Sequence, residues 1–154
     1  IAHEVPSARV FGLDIWPPSL RVAKQNASSL GLKVEFKMSD LLANLPQSLI
    51  GAVDVMTCHP PYVARSAVKT LSSEIREFEP VVSLTDNSRD GLGMVRALAE
   101  KCPDWLRKKG WILFEVSSDL SRPVSTILRR SGFDEVKSDR DSLGATRVVS
   151  GRRP

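Results

Sequence analysis

His59, Pro60, Pro61 and Tyr62 stand directly behind a short apolar run, Val53-Asp54-Val55-Met56-Thr57-Cys58. A run of β-branched and sulfur-bearing residues has the pattern of a strand buried on both faces. Two successive prolines stop such a strand, because they offer no N–H to a ladder and fix φ. Tyr62 then follows on a stiff, extended backbone. A corner of this kind sets carbonyl oxygens and an aromatic ring at the carboxyl edge of a sheet, where open α/β sheets bind ligands. The matching chemistry is that of a planar nitrogen, a carboxamide or aromatic amine whose lone pair is spread into a π system. The carbonyls of residues 58–60 and the His59 side chain can accept its N–H hydrogens while the Tyr62 ring covers its face. Fixed geometry of that sort acts by positioning and electrostatic preorganisation. A diproline turn that merely closes a strand accounts for the same residues, since short motifs recur by chance.

Two carboxylates occupy comparable places. Asp14 ends the apolar run Val10-Phe11-Gly12-Leu13, and an acid at the end of the second strand of a doubly wound sheet can accept both ribose hydroxyls of a nucleoside. It can equally cap the helix that Pro17-Pro18-Ser19 begins. Asp40 follows Val34, Phe36 and Met38, which alternate with charged residues in the period of a half-exposed strand. As a bare Ser39-Asp40 pair it is suited to cap a short helix over residues 41–45.

The elements around these residues can be read in order. Residues 1–5 have the look of a helix end stopped by Pro6, and residues 8–15 read as a buried strand. Residues 19–30 form an amphipathic helix with Leu20, Ala23, Ala27 and Leu30 on one face and Gly31 past its end. After the corner, residues 64–89 are polar and weakly periodic, with a short helix at 71–78 and turns at 79–80 and 85–86. So long a stretch is either a wall of a substrate channel or a mobile surface loop. Residues 91–108 read as one helix interrupted at Pro103, followed by a buried strand at 111–116. Glu115 near the end of that strand either faces the site or supports the corner. An amphipathic helix at 120–131, capped by Gly132, precedes two strands at 133–139 and 146–150.

A chain of 154 residues is one domain with room for a real core. Its 42% apolar and 26% charged residues place it among ordinary globular proteins rather than disordered ones. No apolar run approaches the roughly 18 residues of a membrane span, and no signal peptide is visible. Cys58 and Cys102 read as small buried hydrophobes, which suits a reducing compartment. The scattered His and Cys residues have no metal-ligand spacing, so no metal is expected. The net charge of +4 includes Arg107-Lys108-Lys109, Arg129-Arg130 and Arg152-Arg153. The first two clusters fall at expected helix C-termini, where cations complement the macrodipole. Mild basicity also suits proximity to RNA, as in a ribosome or termination complex.

With these residues in place, the sequence resembles a known family. Asn-Pro-Pro-Tyr after a hydrophobic strand marks S-adenosylmethionine-dependent methyltransferases that modify planar amino groups. Residues 59–62 resemble it most closely as it occurs in the HemK/PrmC group, which methylates the glutamine of the Gly-Gly-Gln motif in peptide-chain release factors. Phe11-Gly12-Leu13-Asp14-Ile15 with Pro18, Leu20, Ala23 and Asn26 is similar to the family's second strand and following helix. Ser39-Asp40-Leu41 resembles the third strand end, Glu74 to Pro80 the segment after the corner, and Phe114-Glu115-Val116 the fifth strand. Arg140-Asp141, Gly144 and Arg147 to Arg152 resemble the closing hairpin. The likeness implies an α/β, three-layer Rossmann-like class I methyltransferase fold, mainly parallel, with an antiparallel C-terminal hairpin. It implies S-adenosylmethionine as cofactor, bound at Asp14, Ile15, Asp40 and Leu41. Asp14 would take the ribose and Asp40 the adenine amine, with Leu41 near the ring. It implies a catalytic corner of His59, Pro60, Pro61 and Tyr62, a release factor as protein substrate, and a cytoplasmic or mitochondrial location.

The sequence departs from the family twice. His59 replaces the asparagine, and an imidazole with one donor and one acceptor cannot copy a carboxamide. The family's first strand and Gly-rich loop are missing, so residues 1–154 are expected to be part of a larger catalytic domain. Two readings follow. One is a protein-glutamine N-methyltransferase, and the other a degenerate, inactive methyltransferase-like domain with a structural or ribonucleoprotein-binding role. An adenine methyltransferase on nucleic acid shares the corner, but no target-recognition domain or strongly basic face is visible.

Overall fold

The computed structural model describes residues 1–154 and divides into two compact units, residues 1–47 and 48–154. The first unit holds strand β1 (Val10–Asp14), helix α1 (Pro17–Ser29) and strand β2 (Val34–Met38). β1 and β2 run parallel, with Val10 opposite Val34 and Asp14 opposite Met38, joined by the α1 crossover. Helix α1 starts on Pro17, whose missing N–H costs nothing in a first turn. It buries Leu20 and Ala27 against the two strands and ends ahead of Gly31, whose φ of +65° needs no Cβ.

The second unit is built on a four-stranded sheet of order β3-β4-β6-β5: β3 (Val53–Cys58), β4 (Leu106–Glu115), β6 (Thr146–Arg152) and β5 (Asp134–Arg140). β3 and β4 are parallel, while β6 runs antiparallel to both β4 and β5. Between β3 and β4 lie two short helices, α2 (Ser73–Phe78) and α3 (Val81–Leu84), and the long helix α4 (Gly93–Trp105). Helix α5 (Ser121–Arg130) connects β4 to β5. Helices α4 and α5 pack on one face of the sheet. There Val95, Leu98, Ala99, Cys102, Val124 and Leu128 meet Ile112, Phe114, Val116 and Val149, all nearly solvent-free. This is the core that holds β3 and β4 in register.

The α/β class, the parallel pairs joined by helical crossovers and the antiparallel hairpin at the end agree with the sequence expectation. Several local expectations do not hold. Residues 1–5 form only a single turn, closed by Val5 N–H to Ile1 O at 2.8 Å. Residues 41–45 form turns rather than a helix, because the Ser39 side chain takes the bonds a cap would need. The helix expected over 91–108 ends at Trp105, and β4 begins at Leu106. Leu106 is fully buried, so the chain must leave the helix to bury it. Lys109 sits at φ +63°, and Lys109 N–H and Arg153 N–H bond to Arg153 O and Gly110 O. The cluster Arg107-Lys108-Lys109 therefore lies on a distorted strand start, not at a helix C-terminus. Arg129 and Arg130 do occupy the last turn of α5, where cations offset the dipole.

β3 is also not buried on both faces. It pairs with β4 alone, and Val55 is 44% exposed. β1, too, pairs on one side only. No helix is long and apolar enough to cross a membrane.

Candidate functional site

In the first unit the parallel pairing gathers the two carboxylates at one strand end. Ser39 N–H donates to Asp14 O at 3.0 Å, so Asp40 leaves β2 immediately beside the end of β1. Asp14 is not the cap of α1: the helix has Trp16 as its first flanking residue and no side-chain cap. Instead Asp14 Oδ1 accepts from Trp16 N–H at 2.7 Å, a short turn that orients the carboxylate. Ile15, next to it, is half exposed. Asp40 caps nothing either, because residues 41–45 form a turn held by Ser39 and Asn44. Asn44 N–H donates to Ser39 Oγ at 3.0 Å, Ser39 O–H donates to Leu41 O at 2.9 Å, and the Asn44 amide donates to Met38 O at 2.7 Å. This turn holds Leu41 at φ +50°, a conformation costing about 1–2 kcal/mol for a residue with a Cβ. Strain of that kind at a strand end gathers at functional sites. The Asp40 carboxylate stays exposed.

In the second unit β3 ends at Cys58 and delivers the corner. His59 is exposed, Pro60 buried and Tyr62 half-buried. The His59 and Tyr62 rings lie with centroids 5.7 Å apart, tilted by 39°. Cys58 pairs with Phe114 in the register of β3 and β4, which anchors the corner in the core. Beyond it, Tyr62 forms an antiparallel bridge with Thr85, and Val63 N–H donates to Leu84 O at 2.9 Å. Residues 64–89 are thus not a free loop. They run through α2 and α3 and return to bind the corner's backbone. The ridge they carry, Phe78, Val81 and Val82, is exposed. Glu115, at the end of β4, is exposed and opposite Val148.

Neither cysteine is oxidised. Burial raises the thiol pKa of Cys58 to about 11. Burial, helped by neighbouring Cys58, raises that of Cys102 to about 12. Both values stand above the ordinary 9.0, so the folded state keeps its thiols protonated where the unfolded chain ionises. That contribution to stability is complete below about pH 9 and is lost as pH rises through 11 to 12. Urea midpoints should accordingly fall between pH 8 and pH 11, and Cys58→Ala should flatten the fall.

A family model described as "Methyltransferase domain" matches residues 1–113. The chain belongs to the methyltransferase domain family. It is 32% identical over 154 residues to a release factor glutamine methyltransferase of Koribacter versatilis, covering 100% of this chain and 53% of that protein. It is 36% identical over 153 residues to the protein of that name from Neisseria gonorrhoeae, covering 99% of this chain and 55% of the relative. The chain thus spans about half the length of the curated relatives it matches. The fold is shared with a methyltransferase crystal structure from Pyrococcus furiosus, with a TM-score of 0.66 at 14% identity, covering 99% of this chain and 68% of the other. These findings agree with the class I methyltransferase fold and with the family expected from the motifs. Sequence reasoning reads residues 85–86 as a turn and Gly91 as a helix start, and does not find that this segment bonds to the backbone just after the corner.

Proposed function

We propose that the complete protein transfers the methyl group of S-adenosylmethionine to the side-chain amide of the glutamine in a release factor's Gly-Gly-Gln motif. The observation that carries this reading is the corner His59-Pro60-Pro61-Tyr62 at the carboxyl end of a parallel strand, in a chain at least 30% identical to release factor glutamine methyltransferases over its whole length. The ends of β1 and β2 suit the nucleoside half of the cofactor. Asp14 keeps one carboxylate oxygen beyond its turn bond for the ribose, and the exposed Asp40 carboxylate is available to the adenine amine. Ile15 and Leu41 supply apolar surface beside them. When bound, S-adenosylmethionine supplies a methyl group on a positively charged sulfur, so this chain needs no strong base.

The protein's own contribution is alignment. The carbonyls of residues 58–60 and the His59 ring accept the amide hydrogens, and Tyr62 covers the amide face; holding a reactant in attack geometry supplies much of a transfer rate. Segment 64–89 forms one wall of the acceptor channel. The unpaired edges of β1 and β3 support a further reading: residues 1–154 are part of a larger catalytic domain, completed by a strand and a Gly-rich loop outside them, since open apolar edges are normally covered. Two free thiols, Cys102 buried and Cys58 partly so, support a reducing compartment such as the cytoplasm.

Methyl transfer from labelled S-adenosylmethionine to a purified release factor, catalysed by the full-length protein, is the test. Labelled glutamine in the Gly-Gly-Gln peptide is the expected result. No transfer overturns the reading, and His59 then favours the inactive, structural alternative, which calorimetry with the cofactor checks by showing no heat of binding.

A further inference from the structure

The backbone that follows the corner is held by a loop with its own internal fastening. Gly91 lies at φ +71°, and a Cβ there would come within 2.1 Å of Tyr62 O, 2.7 Å of Tyr62 C and 3.1 Å of Ala64 N. No side chain fits between residue 91 and the Tyr62 carbonyl, so the two backbones are in direct contact. Arg65 N–H donates to Ser88 O at 3.1 Å. Together with the Val63 to Leu84 bond, which pairs Tyr62 with Thr85 as an antiparallel bridge, the loop of residues 84–91 thus grips residues 62–65 at three points.

Asp86 is what shapes that loop. Its Oδ1 accepts Ser88 N–H at 2.9 Å and its Oδ2 accepts Met94 N–H, in the first turn of α4, at 2.6 Å. Ser88 Oγ accepts Gly93 N–H at 3.2 Å, and Thr85 Oγ1 accepts Asn87 N–H at 3.0 Å. Burial pushes the Asp86 carboxyl up, but the bonds from Ser88, Met94 and Gly93 outweigh it and hold the carboxyl below its ordinary value. The carboxylate is therefore the form that the loop recognises. α4 is itself fixed to the core by Val95, Leu98, Ala99 and Cys102, so a core-anchored helix is tied through one carboxylate to the loop that holds the backbone at Tyr62.

We propose that Asp86 is a positioning residue for the reaction: it fastens residues 84–91 to the start of α4, and through them sets the orientation of Tyr62. This rests on the proposed methyl transfer only for its catalytic consequence. The structural part has its own readout. With 3-fluorotyrosine incorporated in the full-length protein, the fluorine resonance that disappears in Tyr62→Phe is that of Tyr62, the one tyrosine of residues 1–154. Asp86→Ala is expected to shift and broaden it, and Asp86→Asn, which keeps the shape but turns a donor toward Met94 N–H, to shift it less. Asp141→Ala removes a carboxylate that serves an equivalent turn in the β5–β6 hairpin and should leave the resonance in place. A Tyr62 resonance unchanged in both Asp86 variants, or moved equally by Asp141→Ala, overturns the proposal. If Asp86→Ala does not fold, Asp86→Asn alone decides by the same criterion.

In the full-length protein Asp86→Asn should lower kcat for methyl transfer on the order of tenfold, a size typical of slight misplacement. KM for S-adenosylmethionine should be unchanged. A rise in that KM with kcat intact overturns the positioning role. A shifted resonance alongside a wild-type protein that transfers nothing leaves the fastening in place and overturns the proposed reaction instead.

Discussion

Phe114→Ala is expected to destabilise the chain by about 3–5 kcal/mol, the usual range for deleting a fully buried aromatic ring. Phe114 is the largest of the fully buried side chains and lies near the carboxyl end of β4, opposite Cys58 on one side and Val149 on the other. Removing the ring leaves a cavity beneath the sheet at the point where α4, α5 and three strands meet, and close-packed neighbours relax into it only partly. Urea unfolding followed by tryptophan fluorescence measures the loss. A change below about 1 kcal/mol would show that the second unit does not depend on this core. Phe114→Leu, which refills most of the volume, should recover more than half of the stability.

In the full-length protein, His59→Asn is expected to raise the rate of glutamine methylation tenfold to a hundredfold, on the order of what correcting a small misplacement delivers. The argument is one of hydrogen-bond inventory. A neutral imidazole presents one acceptor in the plane of a ring, whereas a carboxamide presents an oxygen with two lone pairs and an NH₂ group on a shorter arm. An acceptor amide must be held through its N–H hydrogens without being protonated, and the shorter oxygen can do that from the same backbone position. Because His59 is exposed and its backbone is set by the neighbouring prolines, the exchange leaves the fold undisturbed. Steady-state kinetics on a release factor check it. An unchanged rate would mean that the side chain at 59 does not touch the acceptor, and a fall would mean that the imidazole has been adopted as the acceptor's own partner.

Local signals were easy to read where one force decided the outcome. Helix α1 is visible from Leu20, Ala23 and Ala27 with prolines ahead and Gly31 behind, and the closing hairpin from two strands flanking a turn and from the likeness of Arg140-Asp141, Gly144 and Arg147 to Arg152. The carboxylates at strand ends and the diproline corner were visible because few residue types can do what they do there. Misreadings came where distant residues decide. Residues 106–109 carry a good helical pattern, yet the full burial of Leu106 and the bonds to Arg153 and Gly110 draw them into β4. Residues 41–45 look like a capped helix, but the Ser39 side chain bonds within its own turn and removes the cap. The role of Gly91 cannot be read from its neighbours, since the atom that excludes a side chain belongs to Tyr62, 29 positions earlier. Val55 has the composition of an interior strand and is nonetheless half exposed, because burial depends on the strand alongside, not on the strand itself.

That exposed rim of β3 has a practical meaning for anyone preparing the 154-residue chain. A flat ribbon of valine, methionine and threonine with free amide and carbonyl groups is a template onto which an identical molecule can add its own ribbon. Concentrated samples should therefore self-associate through this rim, the more so the higher the protein concentration.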